Sequence, residues 1–563
     1  MKRRARVASL ATIATIGALA LCAPDARAIE LHIKTEGLRL DLTESLFASY
    51  HGDLGGLVVE HDSGGKPLPE ARFFDILNRL NATLAWRRFR LATRFDTALF
   101  FDTAAGACGP DATTQITLRS RFCQKPFFLE KASLEYSGRT VEATLGDSYV
   151  SFGRGLVLSL RKLDELGIDT TLLGGKFVFH DENLAATLVA GVSNIQNVDE
   201  ATGRVASVRP YDLIAGGRVE YRFLDKIIVG FHTTGGVQSK NATASPQVRS
   251  DGMMMYGGTI DAPRLAKWLQ LYFEADGQMM VIADQRQTGY ALYGAATGYF
   301  GAASVLLEVK HYSNFQRWRS STDPSLVEFA PISYNQPPTA ERIQTELVAP
   351  LYDVTGPRLR VDWRVKPWLV LYGSYAFFHD RAVAGGLEYH DPYAGAEIRW
   401  NEGRSHLFPS GGYRIERCAE GATECFKGAP DGEFQHIGHL EWDATQVLPR
   451  RFSLEAQGFV LFRRGDGVVN SDGTVGSWVE GDSYLALKWT PYLVFSGGYE
   501  FSTRPSTKVN DHFFNGAIQW NITTASSVRV FVGGTRGGLK CISGICRDFP
   551  PFTGARLEVV VRL

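Results

Sequence analysis

GARLEVVVRL, residues Gly554 to Leu563, is the last stretch of the 563-residue chain and repeats with a period of two. Such a repeat is typical of a β-strand, whose successive side chains point to opposite faces. The stretch therefore predicts a strand with one apolar face and one mainly charged face. The apolar face holds Ala555, Leu557, Val559, Val561 and Leu563, and the other face holds Arg556, Glu558, Val560 and Arg562.

The same alternation recurs along the chain, which indicates a large sheet. Between 356 and 366, arginine or aspartate alternates with leucine, valine or tryptophan, and a second alternating run begins directly after Pro367. Two such runs joined by a minimal turn predict a β-hairpin. Similar runs occur at 89–101, 218–223, 394–401 and 451–463.

The spacing of these runs favours a membrane barrel over a soluble sandwich, which would show the same local alternation. Runs of about ten to fourteen residues exceed the usual strand of about five or six and suit a tilted membrane-spanning strand. Short turns at one end and long loops at the other are typical of an outer-membrane barrel. Tight turns are predicted near 87–88, 138, 181–182, 225, 301, 367, 490 and 523, and long loops at 103–126, 150–168, 194–208, 238–252, 315–356, 380–392, 417–432, 464–479 and 536–553.

Strand parity predicts an all-β, transmembrane, antiparallel up-and-down β-barrel of about 24 strands, with short periplasmic turns and long extracellular loops. If both termini are periplasmic, a strand must precede the hairpin at 71–102, and the leucine-rich run at 38–48 supplies it. Barrel closure must then pair this run with Gly554 to Leu563 in antiparallel register. Seven tryptophans are expected to form an interfacial girdle near the tight turns: Trp86, Trp268, Trp368, Trp400, Trp442, Trp489 and Trp520.

Residues 1–28 are predicted to be a cleaved signal peptide, which leaves 29–563 as a single barrel domain. Basic residues precede an apolar run at 7–21, and Ala26-Arg27-Ala28 provides a cleavage site. Cys22 leaves a lipoprotein as an alternative, although Leu21 is large for a lipidation motif. Cleavage removes five basic residues and one acid, so the formal charge falls from 0 to −4. A charge balance of this kind indicates no nucleic-acid partner.

The six cysteines after residue 28 are predicted to form three local disulfides. An even number of cysteines in an exported chain favours disulfide bonds. No pair has CxxC spacing or a suitably placed histidine, so a metal site at these cysteines is disfavoured. The pairs are Cys108 with Cys123, Cys418 with Cys425, and Cys541 with Cys546.

Three loop stretches look more specific than spacers. SFGRGL at 151–156 and the residues up to 167 either fold into the lumen or form a structured outside loop. YNQPPTAER at 334–342 lies in the longest loop and is either an inward plug or an outside cap, because a barrel this wide cannot fill its lumen with wall side chains alone. GGTRGGLKC at 533–541 continues through Cys546 and leads into the closing strand.

The FGRG, NQPPT and RGGLKCISGICR sequences within these stretches resemble an uncharacterised family of large bacterial outer-membrane barrels. The resemblance runs across most of the chain after residue 28 and implies a porin-like protein of a Gram-negative outer membrane, without implying a particular activity. The expected partners are outer-membrane lipid and lipopolysaccharide, the barrel-assembly machinery through the C-terminal strand, and envelope proteins.

Passage of a solute or polymer through the outer membrane is the leading functional hypothesis. The alternative is a sealed barrel that serves as a platform for adhesion, secretion or motility complexes. A TonB-dependent transporter is disfavoured because 29–37 leave no room for its plug domain. The residues expected to line the lumen are Arg90, Arg94, Asp96, Arg154, Arg161, Arg358, Arg360, Asp362 and Arg364.

Enzymatic motifs are absent from the sequence, which has no GxSxG, HExxH or P-loop pattern. His436 and His439 lie on opposite faces of a predicted strand, which argues against a shared metal. We therefore expect neither catalysis nor a cofactor.

Overall fold

The structure is a computed structural model in which most described residues lie in β-strands. The predicted signal peptide, Cys22, Cys108, Cys123 and Cys425 lie outside these residues, and no helix among them is long and apolar enough to cross a membrane. The described residues are 37–51, 73–101, 125–197, 211–223, 226–238, 250–282, 285–318, 333–338, 353–381, 386–418, 435–469, 475–503, 512–542, 545–549 and 552–562.

Twenty-four strands form one antiparallel sheet. They are β1 (Leu38–His51), β2 (Phe73–Trp86), β3 (Phe89–Phe101), β4 (Lys125–Ser137), β5 (Val141–Ser148), β10 (Thr171–His180), β11 (Leu184–Asn194), β12 (Leu213–Phe223), β13 (Ile227–Val237), β14 (Ser250–Ala266), β15 (Leu269–Ile282), β16 (Gln285–Phe300), β17 (Ala303–Ser313), β18 (Val354–Lys366), β19 (Leu369–Asp380), β20 (Leu387–Trp400), β21 (Ser405–Cys418), β22 (Gln435–Val447), β23 (Phe452–Val469), β24 (Val475–Trp489), β25 (Leu493–Ser502), β26 (His512–Asn521), β27 (Ser527–Thr535) and β30 (Phe552–Arg562). The six short strands outside it are β6 (Val150–Phe152), β7 (Leu158–Leu160), β8 (Lys162–Leu163), β9 (Ile168–Asp169), β28 (Gly538–Ile542) and β29 (Ile545–Phe549).

The sheet closes between its first and last strands. β1 pairs with β30 in antiparallel register, with Thr43 opposite Arg562 and His51 opposite Gly554. β5 pairs with β10, and β27 pairs with β30, so the short strands between them do not interrupt the wall. The predicted 24-stranded barrel and its closing pair are confirmed.

Tight turns lie at one end of the barrel, called here the turn end, and most long connections lie at the other, the loop end. The predicted turns recur where the chain is described, and further tight turns occur at 267–268, 401–404 and 448–451. The predicted loop at 464–479 was too long, because β23 continues to Val469, which pairs with Val475 of β24. A run of glycine and charged residues resembles a loop in sequence, but nothing in it prevents strand pairing.

The outward face of the wall is apolar. In β19, Leu371 and Tyr375 are exposed, whereas Ser374, Ala376 and Phe378 between and beyond them are buried on the inward face. β19 has 12 residues, which at about 3.3 Å each and a tilt of about 45° cross about 28 Å, the thickness of a bilayer core. A closed wall with an apolar exterior of this height is a transmembrane barrel.

Different aromatic groups mark the two ends of the outward face. Six of the seven predicted girdle tryptophans are exposed at or near the turn end, whereas Trp442 is partly covered and lies five residues before the end of β22. Towards the loop end, exposed tyrosine hydroxyls meet histidines of the next strand at 2.8–2.9 Å, as interfacial polar groups do. These pairs are Tyr290 with His311, Tyr375 with His390, Tyr413 with His436, and Tyr499 with His512.

Candidate functional site

The connection between β5 and β10, residues 149–170, folds into the barrel and is called here the inner loop. β6 and β7 pair to make its short hairpin, and the side chains of Phe152, Leu156 and Leu158 are almost fully buried. They pack against inward residues of the wall, among them Met255 and Tyr293. Of the two alternatives that the sequence left open for this stretch, the structure shows the inward one.

A second segment, the inner arm, enters from the β17–β18 connection and is described at 314–318 and 333–338. Trp318 and Tyr334 are almost fully buried and pack edge to face, with ring centroids 5.1 Å apart. Both belong to the same apolar cluster as the inner loop. The described part of the predicted plug stretch, 334–338, therefore lies inside the barrel.

Backbone hydrogen bonds join the inner loop to the inner arm, and together they are called the plug. The Ser159 amide donates to the Tyr334 carbonyl at 2.7 Å, and the Gln336 amide donates to the Gly155 carbonyl at 2.6 Å. Asn335 accepts from the Trp318 amide at 2.7 Å and donates to the Leu156 carbonyl at 2.9 Å. One buried amide side chain thus connects three parts of the plug.

Glycines in the wall make room for plug aromatics. A Cβ atom at Gly236 of β13 would collide with the ring of Trp318, and one at Gly216 of β12 would lie 3.0 Å from Phe152 Cε2. Because glycine has no side chain, the two rings sit directly against the backbone of the wall. The fit places the plug against the β12–β13 wall near its loop end.

Polar contacts hold the plug to the wall at further points. Gln278 of β15 accepts from the Gln316 amide at 2.8 Å and donates to its carbonyl at 2.7 Å. The Tyr334 hydroxyl donates to Asp212 at 2.6 Å, just before β12. Each of these bonds satisfies a group that would be costly to leave unpaired inside the barrel.

The far end of the inner loop docks through Asp169. This carboxylate accepts from Arg94 of β3 at 2.8 Å, from Lys131 of β4 at 2.5 Å and from the Tyr149 hydroxyl at 2.6 Å. Burial alone would raise the pKa of Asp169, but Lys131 and Arg94 outweigh it and hold that pKa below its ordinary value. The carboxylate therefore docks in its charged form.

The third stretch that the sequence singled out also reaches the inner loop. β28 and β29 form a hairpin in which the backbone register places Cys541 opposite Cys546. Phe549 at the end of this hairpin packs against Leu163 and Leu166 of the inner loop. Just before this hairpin, Arg536 forms an ion pair with Glu480 at 2.8 Å, and Glu480 also pairs with Arg463.

The nine residues predicted to line the lumen fall into two groups in the structure. Arg94 and Asp96 are buried in a network with Arg79, while the Arg154 guanidinium lies 4.5 Å from the ring centre of Tyr272. Burial of Arg161 lowers the pKa of its guanidinium. The other five lie on the inward wall: Arg90, Asp362 and Arg364 towards the turn end, Arg360 at the middle of β18, and Arg358 nearer the loop end, opposite Ala376 of the apolar cluster. Arg90 pairs with Glu135, Arg358 with Glu308 and Arg360 with Asp362, while Arg364 is exposed.

The structure also brings together three residues that the sequence analysis did not select. His232 of β13 and Asp276 of β15 flank Gly257 of β14, and the His232 Nε2 and Asp276 Oδ1 atoms are 2.6 Å apart. Glu274 lies two positions from Asp276, and its Oε1 is 3.9 Å from the same imidazole nitrogen. Each residue looks like an ordinary inward polar residue until the register of three strands is known.

Comparison with solved structures gives distant likenesses. No protein-family model matches the chain, and no curated protein matches it in sequence. The siderophore receptor PirA from Pseudomonas aeruginosa is similar at 8% identity and a TM-score of 0.46, over 93% of this chain and 80% of that one. Acinetobacter baumannii OccAB1 is similar at 9% identity and a TM-score of 0.38, over 74% of this chain and 100% of that one.

Pseudomonas aeruginosa OccK2 (OpdF) is similar at 12% identity and a TM-score of 0.37, over 68% of this chain and 94% of that one. At these values the likenesses carry no argument about mechanism. The fold is established instead by the closed register of the chain's own strands.

Proposed function

We propose that this chain is an outer-membrane channel of the porin-like kind, and that it conducts a solute only when the plug leaves its seat. In this proposal the signal peptide at 1–28 exports the chain, the turn end faces the periplasm and the loop end faces the outside. The barrel lies in lipid and lipopolysaccharide, and its closing strand β30 is the element that the assembly machinery recognises. The three cysteine pairs stiffen the outer loops as disulfides.

The observation that carries the proposal is the contrast between the two halves of the barrel interior. The plug fills the half nearer the loop end with tightly packed apolar and hydrogen-bonded groups. Towards the turn end the inward wall keeps partly or fully exposed charges, among them Arg90, Asp362 and Arg364. A charged vestibule next to a plug built from two strand connections fits a gated pathway for a charged solute.

The row of inward arginines at Arg358, Arg360 and Arg364 runs along β18 from the level of the plug to the turn end. It predicts a preference for anions, because this side of the proposed pathway carries net positive charge. Arg358 and Arg360 each have one acidic partner, while Arg364 has none among the described side chains. The row is the part of the proposed pathway most open to a direct test.

The test is single-channel recording in planar bilayers under a salt gradient. Openings of the wild-type barrel should be anion-selective, and the triple variant R358E/R360E/R364E should shift the reversal potential towards cations. A matched variant, R87E/R88E/R139E, changes the same number of charges at exposed turns and should leave selectivity unchanged. Equal selectivity in all three proteins would refute the assignment of the pathway.

The second candidate, a sealed platform for envelope proteins, is favoured by the close packing of the plug against the wall. The inner loop leucines and the arm aromatics are almost fully buried against the wall. If the folded barrel never conducts, even in variants whose plug contacts are removed, the platform is the better account, and partner capture by the loop end becomes the experiment to perform.

A further inference from the structure

We propose that His232, Glu274 and Asp276 form a metal site for Zn²⁺ in the barrel wall beneath the inner loop. The proposal does not depend on whether the barrel conducts. One imidazole and two carboxylates are a donor set that suits Zn²⁺ better than Ca²⁺ or Mg²⁺, which prefer oxygen ligands alone.

The geometry brings one ligand atom from each residue within 4.8 Å of the other two. A tetrahedral zinc with bonds of about 2.1 Å separates its ligands by about 3.4 Å. The three side chains therefore need only small rotations to surround a single ion. Gly257 contributes to this arrangement, because a Cβ atom there would collide with the Asp276 carboxylate.

All three side chains are fully buried, and each keeps an unused polar atom. Their side-chain exposure is 0%, and His232 Nδ1, Glu274 Oε1 and Asp276 Oδ2 have no hydrogen-bond partner among the described residues. Two neighbouring carboxylates and an unpaired carboxylate oxygen are costly to bury. A cation bound by His232 Nε2 and by one oxygen each of Glu274 and Asp276 would offset these costs at the carboxylates, while His232 Nδ1 lies on the other side of the ring.

The surroundings of Glu274 orient it for ligation. Its Oε2 accepts from the Tyr272 hydroxyl at 2.5 Å and from the Arg154 amide at 2.9 Å. These donors occupy one carboxylate oxygen and leave Oε1 facing His232. Hydrogen bonds to the non-ligating atoms of ligand side chains are characteristic of built metal sites.

The inner loop covers this site directly. A Cβ atom at Gly153 would collide with the Glu274 carboxylate, and the positive φ of 57° at Gly153 also favours glycine. The backbone of the loop thus closes over the cluster while the Arg154 amide fixes one of its ligands. Zinc bound here would tie the plug to the wall through Glu274.

The experiment measures zinc binding to the full-length barrel, refolded in detergent, stripped with EDTA and dialysed. Titration with ZnCl₂ and elemental analysis should give one more tightly bound zinc in the wild type than in E274Q or D276N. Each variant removes a ligand but keeps the side-chain shape, so the affinity of this site should fall at least about a hundredfold. E441Q, which alters another inward glutamate next to a histidine, should bind zinc as the wild type does.

Heat-modifiable migration on gels checks that every variant forms the barrel, so loss of zinc is not confused with loss of folding. Subtracting the variant from the wild type also removes zinc held by cysteines or surface histidines. If the wild type binds no more zinc than folded E274Q and D276N, the proposal is overturned, and a proton shared between the two carboxyl groups is the better account of the cluster.

Discussion

Asn335 offers the sharpest perturbation of the plug, because its buried side chain joins three segments. In N335A the Trp318 amide loses its acceptor at 2.7 Å and the Leu156 carbonyl loses its donor at 2.9 Å. Each buried group left unpaired costs about 1–3 kcal/mol. The docked plug should therefore lose about 2–6 kcal/mol relative to the undocked plug, in which water can satisfy both groups.

In the proposed channel this loss shifts the equilibrium between closed and open states. At about 1.4 kcal/mol per factor of ten, the open-to-closed ratio should rise at least about twentyfold. Single-channel recording at fixed low voltage measures the ratio directly. The thermal stability of the barrel wall itself should change little, because the contact of Asn335 with the wall is to the Met255 sulfur at 3.9 Å and not to the backbone ladder.

N78A is the matched control. Asn78 donates to Glu44 at 3.2 Å on the wall between β2 and β1, away from the plug. Its removal should leave the open-to-closed ratio unchanged. If N335A and N78A give the same ratio as the wild type, the plug is not the gate and the reasoning fails.

Three further changes test how the plug and its anchors are held. D96N should lower the free energy of unfolding in urea by about 3–5 kcal/mol, because Asp96 is fully buried between Arg79 and Arg94. D362N alters an ion pair that is partly exposed and should lower it by about 1 kcal/mol or less. Equal losses in the two variants would contradict this account. G236A should push Trp318 from its position and raise the open-to-closed ratio; its Cβ would also collide with the Leu213 carbonyl oxygen, so heat-modifiable migration must show that the barrel still forms. G235A, whose Cβ would meet a backbone oxygen at 3.4 Å, should not raise the ratio. Identical recordings from folded G236A and G235A would contradict the proposed contact. The pKa of docked Asp169 lies below its ordinary value, so its contribution to docking is complete above about pH 4 and is lost as the pH falls through the lowered value. The open-to-closed ratio of the wild type should therefore stay constant between pH 7 and 5, whereas D169N should show a raised ratio at every pH. A wild-type ratio that rises near pH 6 and equals that of D169N would exclude Asp169 as an anchor.

The wall of the barrel could be predicted from sequence because each strand's pattern depends only on neighbouring residues and on which face meets the membrane. Alternation such as Leu359, Val361 and Trp363 against Arg358 and Arg360 needs only the period of a strand and a membrane outside it. An even number of strands, with both chain termini at the same end of the barrel, then predicted that the last strand pairs with the first. The end of β23 was predicted too early because glycine and charge weaken the pattern without breaking the ladder.

The interior could be predicted only as a set of candidate stretches. The glycines of FGRG and the buried asparagine of NQPP marked the right segments, but the sequence could not decide between an inward and an outward position. That choice depends on contacts such as Arg154 with Glu274, which are 120 residues apart.

The zinc ligands were missed for the same reason. His232 and Asp276 are neighbours only because β13, β14 and β15 are in register across Gly257. A usable signal was the run of inward polar residues at Glu274, Asp276 and Gln278 in a strand whose outward positions are apolar or glycine.

The position of the plug inside the barrel is tested most directly by photo-crosslinking from Trp318. Replacing Trp318 with benzoylphenylalanine keeps a large aromatic group where the indole lies against Gly236. Irradiation of the folded barrel in lipid, followed by peptide mass spectrometry, should give a crosslink to the β13 peptide, Ile227–Val237. Crosslinks only to lipid or to other outer loops, from protein that migrates as a folded barrel, would contradict the central claim that the plug fills the lumen.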